Sequence, residues 1–283
     1  MMKRYKKAAA AAAIVLVLGL ALSFPAVRTA LAEALSVFRV NSMQIININP
    51  QDIQALEDAF RQGTGSIDIE SFGQVEVEGK QERTAVSIAE AQQAVDFSLR
   101  MPDLAGYGLD LDSVYLETGC TVTMTLSVEN INKGLEVLGG NIKLPEQLEG
   151  QSFSIVVPAR VDAEYTDGER NLSITQFSNP EIKVPADVDM EALRDTLLGI
   201  PVLPDHLRQQ LLAVDPLNTL LIPNIDGTAR GININGTDGV LLQNEDMAAD
   251  GLALLWQQDG VFNLIIGNGF ELAETLAIAA QMK

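Results

Sequence analysis

One uncharged stretch near the N-terminus constrains this chain more than any other feature. Residues 8–27, AAAAAAIVLVLGLALSFPAV, hold no charged side chain over 20 positions. At about 1.5 Å of rise per residue, a helix of this length reaches about 30 Å, the thickness of the hydrocarbon core of a membrane. No other stretch approaches this length without a charge, so we predict a single transmembrane helix.

The residues before this stretch set its expected orientation. Residues 1–7 carry four basic side chains and no acidic one. Basic flanks remain on the cytoplasmic side of a membrane. We therefore predict a cytoplasmic tail at 1–7, a signal anchor at 8–27 and an extracytoplasmic bulk, in a single-pass protein of the bacterial cell membrane.

Cleavage of a signal peptide is the alternative. Ala30-Leu31-Ala32 has the small-x-small pattern of a cleavage site, and cleavage after Ala32 would give a secreted protein. The apolar run exceeds the usual signal core of about 7–15 residues, which favours an uncleaved anchor. No cysteine lies directly after the run, so a lipid-anchored lipoprotein is excluded. Both interpretations export the chain from about residue 33 onward.

Charge and composition exclude several classes of partner and site. The chain has 38 acidic and 19 basic residues, and four of the basic ones precede the predicted span, which leaves the exported part with a net charge of −23. Such a surface disfavours nucleic acids and anionic lipid surfaces. One cysteine forms no internal disulfide, and one cysteine with one histidine cannot build a structural zinc site.

The remaining pattern predicts an α+β fold, in which the transmembrane helix precedes mainly antiparallel sheets with covering helices. We expect extracytoplasmic α+β subdomains at 33–185 and 186–283, with a boundary where NPEIKVP interrupts the strand pattern. Strands are expected near 37–48, in LDSVYLE and CTVTMTLSV, and in the pairs of runs that flank Asp167-Gly168, Asn235-Gly236 or Asp238-Gly239, and Gln258-Asp259-Gly260. Helices are expected from Asn49 to Gln62, after the Ser87/Glu90 capping box, near 129–138, after Asp189, from Leu203-Pro204-Asp205, and over 270–282. The last of these is expected to be amphipathic, with Leu272, Leu276 and Ala279 on one side. SIDIESFGQVEVEG is expected to form a hairpin or short strands, and 216–226 a loop.

The sequence contains few residues of the types that usually act in catalysis. His206 lies in the first turns of a predicted surface helix, and Cys120 opens a strand, where a buried small hydrophobic role is expected. Trp256 lies in an alternating strand, where core packing is expected. An envelope hydrolase that uses two facing carboxylates is a further alternative, but sugar clefts usually carry aromatic walls and only 5% of this chain is aromatic. We predict no catalytic residue and no enzyme.

Calcium is the metal that best suits an exported acidic chain. The loose candidates are Asp110-x-Asp112, Asp187-x-Asp189, and the NIDGT (224–228) and GTDG (236–239) turns. None matches the EF-hand loop, and Asp-Gly turns arise for backbone reasons alone. No GxxxxGK[ST] phosphate loop is present. We therefore predict no metal site and no cofactor site.

Two segments carry a resemblance. In ADGLALLWQQDGVFNLIIGNGFELAETLAIAAQMK, Trp256-Gln257-x-x-Gly260 leads to a strand ending at Gly267-Asn268, and a helix follows from Phe270. VSIAEAQQAVDFSLRMPDLAGYGLDLDSVYL reads as a short helix, a proline, a GY pair and a strand. Both are similar to a bacterial extracytoplasmic domain of unknown function, found in proteins resembling membrane-anchored anti-sigma factors and lipoprotein-sorting carriers.

The resemblance implies no catalytic residues, and this chain departs from anti-sigma factors before the span. Only about seven residues precede it, and no His/Cys zinc motif is present, so a second protein would have to supply a cytoplasmic signalling half. Our first hypothesis is a noncatalytic, membrane-tethered extracytoplasmic interaction or sensing module with an envelope or membrane protein partner. The alternative is a carrier or binder of an apolar, lipid-like ligand held between sheet and helices.

Overall fold

A computed structural model describes residues 36–49, 51–52, 54, 58, 72–137, 143–186, 188–199, 201, 203–215, 218–225, 227–243 and 251–282. The predicted tail at 1–7, the span at 8–27 and the candidate cleavage site after Ala32 lie outside these residues. Within them, no helix has the length and apolar character needed to cross a membrane.

Strands dominate the described chain. They are β1 Ser36–Arg39, β2 Ser42–Ile48, β3 Gly73–Glu78, β4 Arg83–Ala85, β5 Asp110–Glu117, β6 Cys120–Leu126, β7 Ser152–Val157, β8 Arg160–Thr166, β9 Asn171–Ser178, β10 Glu181–Val184, β11 Thr219–Ile225, β12 Ala229–Ile234, β13 Thr237–Leu242, β14 Gly251–Gln258 and β15 Val261–Asn268. The helices are α1 Ile88–Ala94, α2 Val128–Val137, α3 Met190–Leu198, α4 Asp205–Leu212 and α5 Leu272–Ala279. The fold is therefore mostly antiparallel sheet with a few helices, which confirms the predicted class in this coarser form.

The chain divides into two compact units that interleave along the sequence. The first unit comprises residues 1–77, 122–155 and 181–226, and the second comprises 78–121, 156–180 and 227–283. The predicted subdomains at 33–185 and 186–283 follow the order of the chain, whereas each unit draws on three separate segments. One passage between the units, at 180/181, falls in the NPEIKVP region.

The second unit is built on an eight-stranded sheet in the order β12-β13-β14-β15-β9-β8-β5-β4. One face of this sheet carries fully buried side chains, including Ile174, Leu254 and Ile265. Helix α5 contacts β15 and buries Ile278 and Ala279. Because burying apolar side chains is the main favourable term in folding, this face is the core of the second unit.

Short turns fix the register of this sheet. Asn235-Gly236 joins β12 to β13, and Asp259-Gly260 joins β14 to β15, with φ values of 57°, 85°, 52° and 77°. Two left-handed residues in a row suit the two-residue hairpin turn, whose twist matches that of the flanking strands. The predicted hairpins at these positions and the longer loop around Asp167-Gly168 are confirmed.

The first unit holds a five-stranded sheet in the order β1-β10-β7-β6-β3 and a two-stranded sheet of β2 and β11. The predicted loop over 216–226 is wrong, because Thr219–Ile225 forms β11 and pairs in parallel with β2. Pro223 favours a loop in the sequence, since it lacks an N–H donor. In a two-stranded sheet each strand is an edge, where proline is tolerated.

Local helix signals predict the helix starts well. Ser87 and Glu90 form a reciprocal capping box at α1. The Asp189 carboxylate accepts from the Ala192 N–H at 3.0 Å and caps α3. The predicted helix from Asn49 to Gln62 is described only at residues 51, 52, 54 and 58, which are helical.

Candidate functional site

Strand β3 is an exposed edge strand of the first unit. This strand ends the five-stranded sheet, and among the described strands it pairs only with β6. Every side chain from Gln74 to Glu78 is exposed. An edge strand leaves half of its N–H and C=O groups without a ladder partner, so β3 presents backbone that another strand can pair with.

The two faces of β3 differ in chemistry. Val75 and Val77 lie on one face and are 41% and 61% exposed. Gln74 and Glu76 lie on the other face, where the Gln74 amide donates to the Glu76 carboxylate at 2.7 Å. The alternation follows from the two-residue period of a strand. The edge therefore offers an apolar row and a polar, acidic row side by side.

A groove opens beside the start of β3, with a volume of about 560 Å³. All of its lining residues belong to the first unit. They come from the start of β3, the end of β6 and the turn before β7: Gly73, Gln74, Val75, Thr125, Leu126, Ser127, Glu149 and Gly150. Among the described lining residues there is one carboxylate and no basic side chain.

Close backbone approach shapes the floor of this groove. A Cβ atom on Gly73 would overlap the carbonyl oxygen of Thr125, so the position requires glycine. The Ser127 N–H donates to the Phe72 carbonyl at 2.9 Å, and the Gly150 N–H donates to the Leu126 carbonyl at 3.0 Å. These hydrogen bonds hold the walls of the groove in place.

Glu149 lies in the turn before β7, and its side chain caps the N-terminus of α2. Its carboxylate accepts from the backbone N–H of Val128 at 2.7 Å and from that of Glu129 at 3.3 Å. A carboxylate at this position accepts hydrogen bonds from N–H groups that have no partner within the helix, and its negative charge is stabilised by the positive end of the helix dipole. The negative charge in the groove is therefore fixed by α2.

His206 lies in the first turn of α4, as predicted, and its side chain is 43% exposed. Its Nε2 atom is 3.0 Å from Asp52 Oδ2 and 3.4 Å from Asn49 Nδ2. The sequence does not predict this pair, because the two residues lie far apart along the chain. It joins α4 to the start of another helical segment, which is a structural contact of a kind common at surfaces.

Cys120 and Trp256 are buried, as the sequence predicts. Cys120 is a free thiol and is 7% exposed. Trp256 is fully buried on β14 and faces Asn263 of β15 across the strand pair. Neither Trp256 Nε1 nor Asn263 Oδ1 has a hydrogen-bond partner within the part of the chain that the structure describes.

The calcium candidates do not come together in the described part of the chain. No group of three or more His, Cys, Asp or Glu side chains is placed to hold a metal ion among the residues described. Asp189 caps a helix, Asp112 accepts from the Ser113 hydroxyl at 3.2 Å, and Asp187 lies outside the described residues.

A charged cluster that the sequence does not predict lies on the second unit's sheet. Asp162 of β8 accepts from the Thr175 hydroxyl at 2.7 Å and lies 3.4 Å from Arg160 Nε. Arg83 stacks over the Tyr115 ring at 3.7 Å and pairs with Glu164 at 2.5 Å. The Glu164 hydrogen bond is the main reason that the pKa of Arg83 is raised.

This cluster resembles a structural network more than a catalytic site. Arg160 also pairs with Glu117 at 2.6 Å, so each guanidinium in the cluster has carboxylate partners. The cluster is therefore a set of ion pairs that joins β4, β5 and β8.

Comparisons of the chain with protein-family models, with curated proteins and with solved structures find no match. The resemblance to a bacterial extracytoplasmic domain therefore stays a prediction.

Proposed function

We propose that the protein is a noncatalytic, membrane-tethered extracytoplasmic module of a bacterial envelope, which acts by binding another envelope or membrane protein. The open edge of β3 is the observation that carries this proposal. Val75 and Val77 expose apolar side chains there, beside backbone that pairs with β6 alone among the described strands. Natural sheets usually blunt or cover such edges, so a retained edge favours an interaction role.

The tether rests on the sequence of residues 8–27. As a helix, their 20 uncharged positions match the thickness of a bilayer core, and the basic flank before them supports an extracytoplasmic location for the bulk of the chain. A binding protein held at the membrane surface meets its membrane partners at high effective concentration. Release after Ala32 would remove this advantage and leave the binding surface unchanged.

The proposal of a noncatalytic role rests on the surroundings of the residues that catalysis would use. His206 contacts Asp52 and Asn49, Cys120 is buried, and the described carboxylate cluster is paired with arginines. The apolar-carrier alternative stays a prediction. Native mass spectrometry of protein extracted from its own membrane tests it, because a carrier would retain a lipid-sized mass.

Site-specific photocrosslinking tests the proposed surface. A photoreactive phenylalanine replaces Val77 in the full chain, expressed in its native membrane. The matched control places the same residue at Leu212, which is also in the first unit and is 51% exposed. We expect an adduct with one envelope protein from position 77 and none from position 212. Folded protein that gives no adduct at 77, or the same adducts at both positions, would contradict the proposal.

A further inference from the structure

We infer that the partner binds β3 as an added strand, and that its bound segment alternates basic residues with β-branched or other apolar residues. This inference rests on the proposed function and names the chemistry of the partner. In strand addition, main-chain hydrogen bonds supply affinity and alternate side chains supply specificity.

The backbone step follows from the position of β3. The strand has six residues and pairs on one side with β6, so about three of its residues direct their N–H and C=O groups toward the open side. An extended peptide satisfies these groups without any rearrangement of β6.

The side-chain step follows from the two faces of β3. An added strand places its alternate side chains beside Val75 and Val77 on one face and beside Gln74 and Glu76 on the other. Apolar β-branched residues suit the first row. Lysine or arginine suits the second row, because the Glu76 carboxylate is exposed there.

A second copy of this chain is a poor occupant of the same edge. Pairing β3 with itself would bring Glu76 of one copy beside Glu76 or Gln74 of the other, and like charges opposite one another are destabilising. The net charge of −19 adds general repulsion between copies. Acidic side chains on an edge are a common defence against self-association.

The two edges of the second unit's sheet offer less. β4 has only three residues. β12 exposes Arg230, Gly231 and Asn233, which include no apolar side chain. Of these three edges, β3 is the one that combines a full-length strand, exposed valines and an acidic row.

Peptide binding to the full chain in detergent micelles tests the inference. The probe is a peptide of about eight alternating Lys and Val residues, long enough to span β3. One control peptide replaces each Lys by Glu, and another carries N-methyl groups on alternate amides, which removes the strand hydrogen bonds. Fluorescence anisotropy gives affinities, and hydrogen exchange gives the location of binding.

We expect the Lys/Val peptide to bind and to slow hydrogen exchange over residues 73–78. Glu76→Lys should weaken this peptide about threefold to tenfold and improve binding of the Glu/Val peptide. Glu169→Lys is the matched control, because it makes the same charge change on an exposed loop of the second unit. It should leave both affinities unchanged.

Several results would overturn the inference. These are equal binding of the Lys and Glu peptides, no effect of N-methylation, protection outside β3, or no binding at about 1 mM peptide. A concentration-dependent dimer protected at β3 would instead assign the edge to a second copy. If these tests fail while the adduct at position 77 persists, the strand-addition chemistry is wrong and the proposed function stands.

Discussion

The buried carboxylate of Asp162 gives the sharpest stability prediction. Its side chain is 8% exposed on β8, and it binds the Thr175 hydroxyl at 2.7 Å. Replacing Asp162 by alanine leaves that hydroxyl and two arginines without their shared acceptor. The change therefore removes the central carboxylate of the cluster and leaves the Arg83–Glu164 and Arg160–Glu117 ion pairs in place.

The magnitude follows from the exposure of each partner. A buried hydrogen bond to a charged group contributes about 1.5–3 kcal/mol. Arg83 and Arg160 are 44% and 46% exposed, so water replaces much of their interaction and each loses at most about 0.5 kcal/mol. We expect Asp162→Ala to lower the free energy of unfolding by about 2–4 kcal/mol. Glu164→Ala, at a side chain that is 39% exposed, should cost less than about 1 kcal/mol.

Urea unfolding of the full chain measures both variants. Trp256 is the single tryptophan and lies in the same sheet, so its fluorescence reports the unfolding of the second unit. Repeating the measurement at high salt separates the two contributions, because salt screens exposed pairs more than buried ones. An effect of Asp162→Ala below about 0.5 kcal/mol, or equal to that of Glu164→Ala, would refute the reasoning.

Two further predictions concern a glycine and a turn. Gly73→Ala should lower the free energy of unfolding by about 1–3 kcal/mol and weaken peptide binding at β3, because the added Cβ atom would overlap the Thr125 carbonyl oxygen. Gly106→Ala is the control, because a Cβ atom there meets no atom within 4 Å. Equal unfolding free energies for the two variants would contradict the prediction. Hydrogen bonds from the Arg170 backbone and side chain lower the pKa of Asp167 to about 2. A lowered pKa in the folded state means that this contribution is present above about pH 4 and is lost as the pH falls toward 2. Asp167→Asn should flatten the pH dependence of the unfolding free energy in that window, and an unchanged slope would count against it.

Local structure was predictable because its causes are local. The Ser87 capping box, the Asp189 cap and the Asn235-Gly236 turn each depend on residues within a few positions of one another. The apolar face of α5 was less well predicted. Leu272, Leu276 and Ala279 were expected on it. Ala279 is buried, together with Thr275 and Ile278, whereas Leu272 and Leu276 are half-buried, because the neighbouring sheet decides which side of the helix is covered.

Tertiary pairing explains the misses. β11 is a strand because it pairs with β2, which lies more than 170 residues earlier in the chain. A partner so distant leaves no local signal in the sequence to outweigh Pro223. The interleaved units have the same cause, since neither is contiguous in sequence.

The candidate site was also predictable only in its local structure. Alternation in FGQVEVEG predicts a strand, and the structure contains β3 there. Whether Val75 and Val77 face solvent depends on the position of β3 at the end of its sheet, which sequence periodicity does not encode. The Asp162 cluster likewise depends on the register of β5, β8 and β9, which brings Tyr115 and Thr175 to either side of one carboxylate.

Cysteine labelling at Val77 tests the central claim, that the edge of β3 is exposed outside the cytoplasmic membrane. The native chain provides a low background, because its single cysteine, Cys120, is buried. Val77→Cys is treated in intact cells with a maleimide that does not cross the cytoplasmic membrane, and Leu241→Cys, at a fully buried position, is the control. The account predicts rapid labelling at position 77 in intact cells, and at position 241 only after denaturation. Labelling at 77 only after the cytoplasmic membrane is opened would contradict it.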